Sequence, residues 1–225
     1  MDTKKLLCSL GLGITSALEA VDPKEIEDAV EAIYQADRVF TAGWGRAGNV
    51  VRILGMDLSQ LGKVVYCVGD NSTPSIQKDD ILIVNSGSGN TGTIEVIARK
   101  AKKYGAKVIL ITGSTDPENS LIGKYTDLFI RIPLRKDLPE GYEKLVNMLF
   151  GSPSTDRGFG SKPDFGFSEE VREQITMDKY FQLYEIGFIL NEVIMQKYME
   201  RAGRSFEDIS YYHNNLEWST THPLK

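Results

Sequence analysis

Histidine and cysteine are both scarce in this chain of 225 residues, which has two of each. Two histidines leave no room for a His-rich metal centre, and Cys8 and Cys67 do not form a metal-ligand spacing. They read instead as reduced, packed thiols, Cys67 within an apolar strand-like run. No apolar run approaches the roughly 18 residues that a membrane-spanning helix needs. Positive charge is also short: 26 Lys and Arg stand against 31 Asp and Glu, a net charge of −5. Scattered cations with that balance argue against broad binding to a nucleic-acid backbone, though not against holding one small phosphate. No Gly-Lys-Ser/Thr is present, so a nucleotide P-loop is excluded.

What is present is an ordinary globular balance, 41% hydrophobic and 25% charged residues. The length suits one large domain or two small ones, enough to bury a core without disulfide or metal staples. Lys4-Lys5 before Leu6, Leu7 and Leu10 imitates a signal peptide, but Gly11, Gly13, Thr15 and Ser16 interrupt it. Leu6, Leu10, Ile14 and Leu18 follow a four-residue step, which predicts a helix of the mature protein and a cytoplasmic location.

Asp22 as N-cap and Pro23 at the first helical position open a second helix, running to about Ala36. A strand over Arg38–Ala42 enters the turn Gly43-Trp44-Gly45-Arg46-Ala47-Gly48, and a helix follows from Asn49 to Leu61. Val64–Val68 is a strand. Ile81-Leu82-Ile83-Val84 is a continuous apolar run that suits a strand buried on both faces. It empties into Ser86-Gly87-Ser88-Gly89-Asn90-Thr91, then a helix closed by Gly105, a strand over Lys107–Thr112, a short helix around Ser120–Lys124 and a strand over Asp127–Pro133. Alternation of this kind predicts an α/β fold, a mostly parallel sheet with helices on both faces and ligand-binding turns along one edge. Residues 135–172 read as an irregular insertion. A long helix is expected from Asp178 to Arg201, with Ile186, Ile189, Leu190 and Val193 as its apolar stripe, before an aromatic and polar tail over Ser205–Lys225.

Two turns could carry chemistry. Gly43-x-Gly45-x-x-Gly48 matches a dinucleotide fingerprint, with Asp70 placed for a ribose. The match is short, and Arg46 inside it better suits a compact anion. The Ser86–Thr91 loop is the stronger candidate. It opens a helix, whose first N–H groups lack internal partners and carry partial positive charge. Gly87 and Gly89 let the backbone approach a ligand, while Ser86, Ser88 and Thr91 add hydroxyl donors. A bare helix cap is the alternative.

These two turns and the strand order around them resemble the sugar isomerase (SIS) family, firmly over about residues 25–133. Within it the chain is similar to the 6-phospho-3-hexuloisomerase branch, through Gln182-Leu183-Tyr184-Glu185 and His213-Asn214-Asn215-Leu216-Glu217. The resemblance implies a three-layer α/β/α sandwich, flavodoxin-like, with a five-stranded parallel sheet and flanking N- and C-terminal helices, all in one domain. It implies a phosphosugar substrate interconverted through a cis-enediol, with no cofactor or metal. Ser86, Ser88 and Thr91, with Gly87 and Gly89, would take the phosphate, and Gly45 and Arg46 would shape the opposite wall. Glu185 would be the base, in a partly apolar pocket. His213, supplied by a neighbouring subunit, would be the acid–base partner in a homodimer or homotetramer with shared sites. Ala47 departs from the serine usual in the first turn, and the 135–172 insertion is longer than usual. Another sugar phosphate, a non-catalytic phosphosugar-binding module and a nicotinamide oxidoreductase are the competing readings.

Overall fold

The computed structural model describes residues 2–133 and 183–212. The 135–172 insertion, Asp178–Gln182 and His213 lie outside the described residues.

Five strands form one sheet: β1 (Arg38–Ala42), β2 (Val64–Cys67), β3 (Ile81–Asn85), β4 (Lys107–Thr112) and β5 (Leu128–Arg131). They run in the order β2-β1-β3-β4-β5, every pair parallel, with Val39 beside Ile81 and Ile83 beside Ile109. Because side chains alternate along a strand, each apolar run feeds two cores. Val39, Ile81, Ile83, Ile109 and Ile111 point to one face. Phe40, Leu82, Val84, Val108 and Leu110 point to the other. Both layers are buried, as the unbroken run at Ile81–Val84 predicts.

Helices α1 (Thr3–Leu18), α2 (Pro23–Gln35), α3 (Gly45–Gln60) and α5 (Leu183–Ala202) cover the first face. Helix α4 (Gly92–Lys103) and a 3-10 turn at Gly123–Tyr125 cover the second. The caps follow the sequence: the Asp22 carboxylate accepts from Lys24 N–H at 2.9 Å, with Pro23 in the first turn. Gly62 and Gly105 adopt positive φ where α3 and α4 stop. At the opposite edge of the sheet from the strand-to-helix turns, Asp80 is buried and accepts two bonds from Arg38, at 2.9 and 2.6 Å.

Several details differ from expectation. Helix α3 begins at Gly45, four residues before Asn49, so Gly45 and Arg46 lie in its first turn. The short helix around Ser120 is a 3-10 turn centred later, and β5 is confined to Leu128–Arg131. On α5, Ile189 is exposed, and the buried stripe is Leu183, Ile186, Leu190, Ile194 and Tyr198. The tail opens with a helix, α6 (Phe206–Tyr212). Cys8 is exposed rather than packed, while Cys67 is half-buried and accepts a bond from Thr41 Oγ1 at 3.3 Å. No single helix among the described residues is long and apolar enough to cross a membrane.

Candidate active site

The strand order reverses between β1 and β3, and in open α/β sheets the crevice outside the carboxyl ends of the strands at such a point is where ligands bind. Two strand-to-helix turns meet there. In the first, Gly43 and Gly48 approach each other so closely that a Cβ on Gly48 would sit 2.4 Å from the Gly43 carbonyl oxygen. This lets α3 spring directly from β1. Arg46, one residue into the helix, is exposed, and its guanidinium lies 4.2 Å above the Tyr184 ring of α5. A cation at the positive end of a helix dipole concentrates positive potential at the crevice.

The second turn is braced from behind. Ser86 N–H donates to the Ile111 carbonyl at 3.0 Å, and the Gly87 carbonyl accepts from Gly113 N–H and Thr112 Oγ1, both at 3.1 Å. The Asn90 side-chain oxygen accepts from Leu121 N–H at 2.9 Å. Gly89 takes φ +67 and its carbonyl accepts from Ile122 N–H. With the backbone pinned this way, the hydroxyls converge. Ser86 Oγ and Thr91 Oγ1 are 3.3 Å apart, while Ser88 Oγ accepts from Asn90 N–H at 3.1 Å and keeps its own proton to donate. Thr91 occupies the N-cap of α4 without making a side-chain cap bond. The first bonds onto its carbonyl come from Ile94 and Glu95, so the Gly92 and Thr93 amides have no acceptor within the helix. Two hydroxyls and two amides at a dipole's positive end form an anion cradle.

The head of α5 closes over this cradle. A Cβ on Gly87 would lie 2.6 Å from the Leu183 side chain, so α5 packs directly against the Ser86–Thr91 loop. Gly187 faces Val50 and Asn85 one turn further on. Glu185, between them in sequence, lies about half a turn round the helix from both and is exposed. The described residues therefore set the head of α5 between Arg46 and the Ser86–Thr91 loop, but Glu185 stays on the exposed side of the helix and is not enclosed in an apolar pocket. Asp70 pairs with Arg52 at 3.0 Å in an exposed ion pair.

Two contributors were not singled out from sequence. Tyr184 is the platform for Arg46, a contact across 138 positions that no local pattern reveals. Asn85 ends β3 with a buried side chain whose Oδ1 has no partner. Its signal was present: an amide closing an otherwise apolar strand.

A family model described as SIS domain matches residues 32–138. A 3-hexulose-6-phosphate isomerase of Methylomonas aminofaciens is 43% identical over 204 residues, 91% of this chain and 92% of that protein. The chain belongs to the SIS-domain family. A 3-hexulose-6-phosphate isomerase of Mycobacterium gastri is 39% identical over 121 residues, 54% of this chain and 59% of that protein. The chain spans about three fifths of the length of that protein and of two uncharacterized relatives, at 59%, 62% and 57%. Among solved structures, a hypothetical protein from Methanococcus jannaschii is 24% identical with a TM-score of 0.65, covering 94% of this chain and 98% of that one. Its description infers a function of 3-hexulose-6-phosphate isomerase.

Proposed function

We propose that this chain is a cytoplasmic sugar-phosphate isomerase that interconverts 3-hexulose 6-phosphate and fructose 6-phosphate. The observation that carries the reading is the seating of Leu183 on Gly87, which puts a carboxylate-bearing helix against an anion cradle. Ser86, Ser88, Thr91 and the first α4 amides, approached through Gly87 and Gly89, hold the phosphate. Gly45 and Arg46 frame the other wall.

The chemistry is an internal proton transfer. Glu185 removes the proton from C2 of the 3-ketose, and the electron pair forms the C2–C3 double bond of a cis-enediol. Returning that proton to C3, while O2 gives up its own, leaves the carbonyl on C2. His213 moves the proton between O2 and O3, a task suited to a group titrating near neutrality. His213 comes from a neighbouring subunit of a homodimer or homotetramer. That subunit covers the exposed Glu185 and supplies the apolar wall that a general base benefits from. No redox cofactor or metal is required by this step.

The test is a coupled assay on both sugars with the purified chain. Glu185→Gln should lose about 10²–10⁴-fold in kcat, the usual reach of a general base, with KM little changed. Normal turnover in that variant removes Glu185 from the mechanism. Thermal stabilisation by hexose 6-phosphates without any turnover would make the chain a non-catalytic phosphosugar-binding module. Stabilisation by NAD alone would favour the oxidoreductase.

A further inference from the structure

Helices α3 and α5 run side by side with both N-termini at the crevice. Arg46 meets Tyr184, Val50 meets Gly187, and Asn191 reaches back to Val50. Their interface is apolar, built from Val50, Val51, Leu54 and Leu58 on one side and Ile186, Leu190 and Ile194 on the other. Asn191 is the exception. It is 1% exposed, its Nδ2 donates to the Val50 carbonyl at 2.7 Å, and its Oδ1 has no partner. Asn85 faces the same stretch of α5, with its Nδ2 3.6 Å from where a Gly187 Cβ would be and its own Oδ1 unpartnered. Orphaned buried acceptors cost stability, and an apolar pair would avoid that cost. Stability therefore does not account for these amides.

We propose that Asn191 is a positioning residue that sets the axial register of α5 on α3, and through it the place of Glu185 at the head of α5. An apolar helix interface alone tolerates sliding, because one buried methyl group exchanges for another at little cost. A buried donor does not: any slip that separates Nδ2 from the Val50 carbonyl leaves the whole amide unpaired. The Val50 carbonyl also accepts within α3, close to the crevice, so the bond measures the position of α5 from the same helix that carries Arg46. Glu185 lies nearly two turns toward the site on the same rigid helix. A shift of α5 reaches Glu185 undiminished, while the phosphate cradle, pinned to β4 and to Leu121–Ile122, stays where it is.

This rests on the isomerase reading for its kinetic arm and not for its structural one. Asn191→Leu, close in volume, should fold with an unchanged or higher Tm. Its kcat on 3-hexulose 6-phosphate should fall tenfold or more, with KM within twofold because the cradle is intact. A crystal structure of the variant should show α5 displaced along its axis and Arg46 no longer stacked on Tyr184. Asn191→Ser, which is smaller and strain-free, is the second variant should the first not fold. An unchanged kcat in a folded variant, or an α5 in the parent register, overturns the proposal. So does a loss of kcat matched by an equal rise in KM. If the parent protein shows no turnover, the isomerase reading fails, and the crystal structure alone decides whether Asn191 sets the register.

Discussion

The two glycine-rich turns beside the switch point look alike in sequence and are built for different ends. In Gly43–Gly48, two glycines interlock: a Cβ on Gly43 would lie 2.9 Å from Gly48 Cα, and one on Gly48 would strike the Gly43 carbonyl. The turn contributes a helix start and a single cation. In Ser86–Thr91 the backbone is braced from behind and the Ser86 and Thr91 hydroxyls lie side by side. Glycine lets backbone meet backbone in the first turn, and in the second it makes room for the Leu183 and Ser120 side chains. A glycine pattern alone thus says little about function until the residues between the glycines are read for hydroxyls and free amides.

The largest test of that contrast is Gly48→Ala. The added methyl meets backbone, not a flexible side chain, so β1 and α3 must separate. Overpacking against main chain in a core should cost about 4 kcal/mol or more. Urea titration should show a collapsed midpoint or an insoluble protein. A variant with the parent midpoint would mean that the interlock is not structural.

The far end of α3 gives the next effect, and it is pH-dependent. Burial, and secondly the charge of Glu192 on α5, push the Asp57 carboxyl up to about 6. Its Oδ2 is buried without a partner. A carboxyl raised in the folded state keeps a proton that the unfolded chain releases, so stability falls as pH rises from about 4 to above 6. The loss amounts to about 2–3 kcal/mol once complete. Asp57→Asn should therefore melt higher than the parent above pH 7 and alongside it near pH 4. Coincident Tm curves across that range would show that the carboxylate is relieved in solution. Neither turn is touched, so any change in KM in this variant would link α3 packing to the cradle.

The same contrast shows how far the fold and site are legible. Ile81–Val84 announces a central strand because only burial on both faces accounts for four apolar residues in succession. Asp22-Pro23 and the stops at Gly62 and Gly105 are local chemistry and appear where expected. The start of α3 was hidden because Trp44 caps with no side-chain bond and Gly45 begins the helix at φ +58. Helix α6 did carry a signal: Ser205 N–H donates to the Asp208 carboxylate at 2.8 Å, half of a capping box visible as Ser-x-x-Asp. The hydroxyl loop was legible for the same local reason. The Leu183–Gly87 seat and the Arg46–Tyr184 stack were not, since they depend on a helix returning from far along the chain.

Within the cradle, Thr91→Val isolates one hydroxyl while keeping the branched shape. Thr91 Oγ1 shares a 3.3 Å bond with Ser86 Oγ and caps nothing, so the helix should not notice its loss. A hydrogen bond to a charged phosphate contributes about 1.5 kcal/mol at the low end, which is roughly tenfold in KM. Tm should stay within about 2 °C. A drop in Tm with KM unchanged would place Thr91 in the structure and not the site, and would make the second turn resemble the first.

The smallest effect belongs to Gly45→Ala, and it tests whether the first turn touches substrate at all. Gly45 adopts φ +58, a region that costs an L-residue about 1 kcal/mol. Its added methyl would meet nothing within 4 Å in this chain, so strain is the whole protein-side cost. Tm should fall by about 2–4 °C for a chain of this size. If Gly45 matters only for the backbone path into α3, KM should stay within threefold of the parent. If the methyl instead enters space that the sugar uses, KM rises while Tm falls by the same small amount, and the opposite wall becomes part of the binding site. The two measurements on one variant thus separate a turn that merely launches a helix from one that also faces the ligand.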